Sequence, residues 1–326
     1  MSEVSWQKGL SDLITDPKEL ITLLELDPAL LEAANAAVRL FPLKVTRELV
    51  ARMEKGNPND PLLQQIFPIA SELIEVPGYE SDPLKENQAN PIPGLLHKYE
   101  NRVLITLTSA CGVNCRFCFR RHFPYEENNP GRRGWEKMIA YIKEHQAINE
   151  VILSGGDPLS VSDKLLKQFS DQLTAVSHIK RLRIHTRLPI VLPTRVTDEL
   201  IAWIQQLKFA VIIVIHMNHP NEMTESVQIA LQRLRNAGAT LFNQSVLLKG
   251  VNADVDTLIA LSETLFAAGV LPYYLHVLDK VQGAAHFDLP LKTAKKLHAE
   301  ISKHLPGYLV PKLVREDAGE FAKTLL

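Results

Sequence analysis

The sequence predicts an α/β protein built on a mostly parallel sheet, and three observations carry that prediction. From residue 103 onward, short β-branched runs alternate with amphipathic stretches of about ten to fifteen residues, which is how βα units read. Before about residue 75 the apolar positions recur at helical spacing instead, as Leu20, Ile21, Leu23, Leu24, Leu30, Leu31, Leu49, Val50 and Met53 do. The 326 residues, 46% hydrophobic and 22% charged, suffice for one large unit plus an appendage, since one α/β barrel can absorb about 250 residues.

In chain order, residues 1–95 read as a helical region followed by a linker. The turn from Gly56 to Pro61 interrupts the helices, and Val76–Pro83 through Asn90–Gly94 is rich in residues that break both helix and strand. Residues 96–290 hold the repeating units. Their strands are expected at Val103–Thr108, Glu150–Leu153, Arg181–Thr186, Ala210–Met217, Thr240–Leu247 and Pro272–Leu278. The helices between and after them are expected at Trp135–Glu144, Asp163–Ala175, Asp198–Leu207, Glu222–Ala237, Asp256–Ala268 and Leu291–His304. Residues 291–326 add that last helix, one more strand at Tyr308–Val314 and a tail. Parallel strands joined by right-handed crossovers make either a doubly wound sheet or a partial barrel, and six units fall short of a closed eightfold one.

Composition narrows the function. Lys+Arg 36 against Asp+Glu 37 leaves a formal charge of −1, too little basic field for nucleic acid as the main partner. No apolar run reaches the roughly 20 residues of a membrane span, and the start lacks a signal peptide's basic and apolar regions, so a cytoplasmic protein with no membrane partner is expected. All three cysteines fall within one short loop, which cannot be a disulfide framework and fits a metal or cluster in a reducing compartment.

That loop, Cys111-Gly-Val-Asn-Cys115-Arg-Phe-Cys118, directly follows the first expected parallel strand, at the end where α/β sheets carry their active sites. Three thiolates are one ligand short of a closed structural zinc or a fully ligated iron–sulfur cluster. A structural zinc completed by His122 or a distant histidine is the alternative. Ser154-Gly-Gly-Asp157 follows the second strand, and its paired glycines let backbone approach a ligand closely. Arg187, His216 and His219 lie at the same rim.

The Cys-x3-Cys-x2-Cys spacing, with Phe117 before the last cysteine, resembles the radical S-adenosylmethionine enzymes. The resemblance implies a partial (βα)6 barrel of radical SAM type. Three thiolates would hold a [4Fe–4S] cluster through Cys111, Cys115 and Cys118, and S-adenosyl-L-methionine would bind its fourth iron and give a 5′-deoxyadenosyl radical. Ser154, Gly155, Gly156 and Asp157 would receive its ammonium, with Arg187 and His216 nearby.

A narrower resemblance covers residues 97–323. His97–Arg102, Cys118–His122, Asn218–Glu222, Asn243–Leu248 and Pro272–Tyr274 with Asp279 are similar to the lysine 2,3-aminomutase family. Cys118–Tyr125 and Leu275–Phe287 resemble the branch that supplies (R)-β-lysine for modification of bacterial elongation factor P. The resemblance implies pyridoxal 5′-phosphate as a Schiff base on Lys323, its phosphate held by Arg102 and Gln244. Arg120 would clamp the substrate carboxylate, and Asp279 and Glu316 would take the ε-ammonium. Read from the residues alone, Lys323 is a solvated charge near the chain end.

The implied partners are L-lysine, an electron donor such as a flavodoxin or ferredoxin, a functional link to elongation factor P and its lysine ligase, and a possible homo-oligomer. A relative acting on another amino acid and a non-catalytic cysteine-metal module are the alternatives. Two departures stand out. Only Gly319 remains of the glycines that precede the cofactor lysine in the aminomutases, and the sequence stops three residues after Lys323, without the metal-binding tail of fermentative relatives.

Overall fold

A computed structural model describes residues 5–128, 131–320 and 322–326. Five short helices, α1 (Trp6–Ser11), α2 (Pro17–Leu23), α3 (Leu30–Ala37), α4 (Arg47–Val50) and α5 (Pro61–Gln64), form the N-terminal region. Asp16 and Asp60 cap α2 and α5 with their carboxylates, each followed by a proline that suits the first helical turn.

The described residues then form one nine-stranded sheet whose spatial order is the chain order. β1 (Leu95–Tyr99) and β2 (Arg102–Thr108) make an antiparallel hairpin. β3 (Glu150–Gly155), β4 (Arg181–Thr186), β5 (Ala210–Ile215), β6 (Thr240–Val246), β7 (Leu271–His276) and β8 (Lys312–Arg315) continue from β2 in parallel. β9 (Thr324–Leu325) closes the far edge antiparallel to β8.

Sequential order decides between the two architectures the sequence left open. A doubly wound sheet reverses direction midway, whereas steady right-handed crossovers put every helix on one side and curl the sheet around its other face. The crossover helices are α6 (Gly131–Glu144), α7 (Asp163–Thr174), α8 (Leu188–Val191), α9 (Asp198–Gln206), α10 (Glu225–Asn236), α11 (Val255–Ala267) and α12 (Leu291–His304). Side-chain oxygens of Ser162, Thr197, Thr224 and Asp254 cap α7, α9, α10 and α11.

The outward strand residues Val103, Ile105, Val151, Leu153, Leu182, Ile184, Ile213 and Ile215 join one core that runs from Trp6 and Leu20 through the helical layer. Their alternates therefore face the barrel interior, because strand side chains switch face at every residue. Those inward positions include Arg102, Ser154, Arg183, His185, His216, Gln244, Tyr274 and His276.

Several boundaries differ from expectation for local reasons. α10 starts at Glu225, because Thr224 caps it and Pro220–Glu222 forms a 3-10 turn. The strand expected from Tyr308 starts at Lys312, since Gly307–Leu309 is another 3-10 turn and Pro311 has no N–H for the ladder. β1 begins at the end of the expected linker, where the sequence suggested no strand, and β9 lies where it suggested a tail.

Candidate active site

The cysteine loop leaves β2 at the C-terminal end of the barrel and is held from below by charge. Arg116 donates from Nε and Nη2 to Glu72 at 2.9 and 2.6 Å, and Arg121 Nη2 reaches the same carboxylate at 2.8 Å. All three side chains are fully buried. The N-terminal region adds backbone contacts, Arg116 N to the Gln65 carbonyl and Asn114 N to that of Lys44, both at 2.9 Å. Gly112 packs against α8 so closely that a Cβ would sit 2.8 Å from Leu188 Cδ2. Burial and the negative charge of Asp157 raise the Cys111 thiol, and burial with Cys115 brings Cys118 to about 11.

The segment after β3 presses against this loop. A Cβ on Gly156 would lie 2.4 Å from the Ala110 carbonyl oxygen, and Gly155 has φ +114°, which L side chains rarely adopt. Asp157 was expected to receive an ammonium, but its carboxylate is already engaged. Oδ1 accepts from Leu159 N and Thr186 Oγ1 at 3.0 and 2.7 Å, and Oδ2 from Arg187 N and Leu188 N at 2.7 and 3.0 Å. Asp157 is a clip between the β3 and β4 loops.

Arg187 donates to Cys115 Sγ at 2.7 Å, to Gln65 Oε1 at 2.6 Å and to Glu222 Oε2 at 2.9 Å. His216 stacks on Phe117 at 5.5 Å and is held neutral, at about 3, by burial and then by Arg187. Both thus lie against the cysteine loop. His219 does not, because its Nδ1 accepts from Asn221 N as a local cap. His122 faces the Gln282 carbonyl at 3.3 Å.

Next to the loop a chain of ion pairs crosses the barrel mouth. Arg120 grips Glu86 through Nε at 2.6 Å and Nη2 at 2.9 Å, and its Nη1 donates to Ser154 Oγ at 3.0 Å. Lys98 bridges Glu86 and Glu316 at 3.1 and 2.9 Å. Lys323 completes the chain on Glu316 Oε2 at 2.6 Å. Its side chain is only 19% exposed and lies over the Tyr274 ring at 5.8 Å, so it is no solvated surface charge. Gly319, at φ +86°, is in the left-handed conformation on the link from β8 to β9, the edge strand that follows Lys323.

Asp279 follows β7, and burial together with the Glu316 charge holds its carboxyl up at about 7. Gln244 pairs in register with Tyr274 on the inward side. Arg102, at the start of β2, stacks on Tyr99 at 3.9 Å and donates to Asn101 Oδ1 at 3.1 Å.

Sequence reasoning missed Glu72, Gln65, Glu86, Lys98 and Glu222 as site residues. From the sequence Glu222 reads as the start of a helix, yet it is buried against Arg187. A buried acid after His-Pro-Asn was a faint signal, and the others gave none.

The Radical SAM superfamily matches residues 105–261, the stretch that holds the cysteine loop and the strands around it, and the partial barrel with that loop at its mouth defines the chain as a radical SAM protein. Among relatives, L-lysine 2,3-aminomutase of Escherichia coli is 49% identical over 326 residues, covering 100% of this chain and 95% of that protein. The L-lysine 2,3-aminomutase of Haemophilus influenzae is 46% identical over 99% of this chain and 96% of its own. That of Clostridium subterminale is 35% identical over 98% and 77%. The chain belongs to the L-lysine 2,3-aminomutase family.

Membership implies a [4Fe–4S] cluster, S-adenosylmethionine and pyridoxal phosphate. The residues fit these groups. Three free thiols share one loop at the barrel mouth, one ligand short of a closed site, and would hold such a cluster. A glycine cradle adjoins them. For pyridoxal phosphate there is the inward Lys323 over Tyr274, and on the same inner wall the buried Nε2 atoms of His185 and His276 have no partner.

Proposed function

We propose that this protein converts L-α-lysine to (R)-β-lysine, exchanging an amino group and a hydrogen between C2 and C3. The observation that carries the reading is the continuous ion-pair chain Arg120–Glu86–Lys98–Glu316–Lys323 beside the cysteine loop. It provides a fixed cation for a carboxylate, a lysine for cofactor attachment and an acid for an ammonium within one mouth. When bound, the cluster and S-adenosylmethionine supply a 5′-deoxyadenosyl radical, and pyridoxal phosphate supplies the carbonyl that takes up an amine.

The chain's residues do the rest. Cys111, Cys115 and Cys118 hold the cluster, and Arg187 and His216 line its rim. With the Asp157 carboxylate engaged, the backbone of Ser154–Gly156 is what remains there for the methionine ammonium. Lys323 anchors pyridoxal phosphate, and Arg102 and Gln244 take its phosphate. Glu316 and Asp279 would accept from the substrate ε-ammonium, and Arg120 would donate to its carboxylate. Two acids at that end disfavour glutamate, whose distal carboxylate would meet like charge.

Residues 76–94, the Pro-rich linker of the sequence, would cover the mouth and shield it from water. Glu80 pairs with the loop after β7 through Glu80 N to the Lys280 carbonyl and Gln282 N to the Glu80 carbonyl, both at 2.9 Å, and Tyr79 donates to Asp288 at 2.6 Å. A closed mouth protects a radical from side reactions.

The similarity of residues 118–125 and 275–287 to the elongation factor P branch supports a ligase for that factor as the consumer of the product. A flavodoxin or ferredoxin would supply the electron, and assembly as a homo-oligomer is part of the same reading. Among the described residues no helix is long and apolar enough to cross a membrane, and the protein is read as cytoplasmic.

Anaerobic incubation of the reconstituted protein with L-lysine, L-glutamate and L-arginine in turn, followed by chiral chromatography, tests the reading. Lysine alone should give its (R)-β-isomer. Turnover of glutamate with lysine untouched would overturn it.

A further inference from the structure

Arg120 has five N–H donors, and its partners decide which of them remain for a ligand. Glu86 takes Nε and Nη2, the side-on edge of the guanidinium fork, and Ser154 Oγ accepts one hydrogen of Nη1. One N–H on each of Nη1 and Nη2 is left, enough for the two oxygens of a carboxylate.

Glu86 itself is firmly placed. Its backbone N donates to Asp82 Oδ1 at 2.9 Å, and its Oε1 also receives Lys98 Nζ at 3.1 Å. Burial pushes its carboxyl up, but Arg120 and Lys98 outweigh burial and keep it below the ordinary range, so it stays an anion. It belongs to the covering segment, which the Glu80 and Tyr79 contacts tie to the loop after β7.

We propose that Glu86 is a positioning residue for the substrate α-carboxylate: it occupies the side-on edge of Arg120 and so leaves the remaining N–H groups of Nη1 and Nη2 to the carboxylate. The proposal rests on Arg120 being the carboxylate clamp. Because Glu86 reaches Arg120 from the covering segment, the clamp is complete only with that segment seated.

The test uses the holoenzyme with its cluster and pyridoxal phosphate, and the variants Glu86→Gln, Glu86→Asp and Arg120→Lys. KM and kcat for L-lysine are measured beside the inhibition constant of 1,5-diaminopentane, which lacks the carboxylate. Glu86→Gln should raise the lysine KM about ten- to a hundred-fold, as misplacement of a clamp does, with a much smaller change in kcat. Inhibition by diaminopentane should stay unchanged, and Glu86→Asp should recover part of the lysine affinity. An unchanged lysine KM in Glu86→Gln, or equal weakening of lysine and diaminopentane, overturns the proposal. If Glu86→Gln does not retain iron, Glu86→Asp carries the same comparison, because it keeps the charge and shortens the reach. Arg120→Lys separates the two layers. If it leaves the lysine KM unchanged, the clamp reading fails; if it raises KM while Glu86→Gln does not, only the role of Glu86 fails.

Discussion

At Asp279 burial and a neighbouring carboxylate outweigh two lysines, and its carboxyl rises from the ordinary 3.8 to about 7. Between those values the folded chain keeps a proton that the unfolded chain releases. This group's contribution to stability therefore falls as pH climbs from 3.8 to about 7. Ammonium binding runs the other way, because only the ionised carboxylate pairs with the substrate. In a pH series kcat/KM for lysine should thus rise through about 7, and Asp279→Asn should remove that limb together with this group's loss of stability between pH 3.8 and about 7. A limb that survives in Asp279→Asn would assign it to another group. Lys323 offers a second test at this scale. Lys323→Ala should lose borohydride-trapped pyridoxal phosphate and turnover, with iron and sulfide contents unchanged; trapping at a different lysine, seen by peptide mass, would refute the assignment. Residues of this kind were unequally legible. The cysteines announced themselves because a cluster ligand set is local in sequence, whereas Glu86 and Arg120 stand 34 positions apart and Lys98 and Glu316 stand 218 apart. Asp157 suits a ligand by type and position, whereas three of the four donors to its carboxylate, on Thr186, Arg187 and Leu188, are brought near only by the fold.

Among elements, the cysteine loop depends most on distant support. Glu72 pairs with both Arg116 and Arg121 out of water, so Glu72→Gln leaves two buried guanidinium groups sharing a neutral partner. Breaking such a buried pair costs about 3–5 kcal/mol, and a urea titration of the variant should show a loss of that order together with less iron per chain. A stability within about 0.5 kcal/mol of the parent, the range of ordinary surface substitutions, would mean that the loop is held otherwise. The six βα units were readable because the long helices α6, α7, α9, α10 and α12 are amphipathic and α7, α9, α10 and α11 begin at a Ser, Thr or Asp cap. The two antiparallel edge strands were not. β1, Leu95-Leu-His-Lys-Tyr99, has no β-branched residue and follows a Pro-rich run, and β9 is only two residues long. That short strand matters beyond its size, since its pairing with Val314 and Arg315 brings the preceding Lys323 back over the barrel mouth.

Across the whole molecule, strand order was the one property that local patterns did not carry. Alternating strands and helices fit a doubly wound sheet as well as a partial barrel, and only the sequential pairing from β1 to β9 shows that the inner wall faces a single mouth. At that mouth the N-terminal region grips the cysteine loop from one side and the covering segment reaches Arg120 from the other, so cluster loop and substrate clamp are built by the same fold. The central claim is that nitrogen moves from C2 to C3 of lysine within this mouth. Carbon-13 NMR after anaerobic turnover of L-[3-13C, 2-15N]lysine tests it most directly. The account predicts a new one-bond coupling between C3 and the migrated 15N. Nitrogen that stays on C2 while 5′-deoxyadenosine accumulates would contradict it.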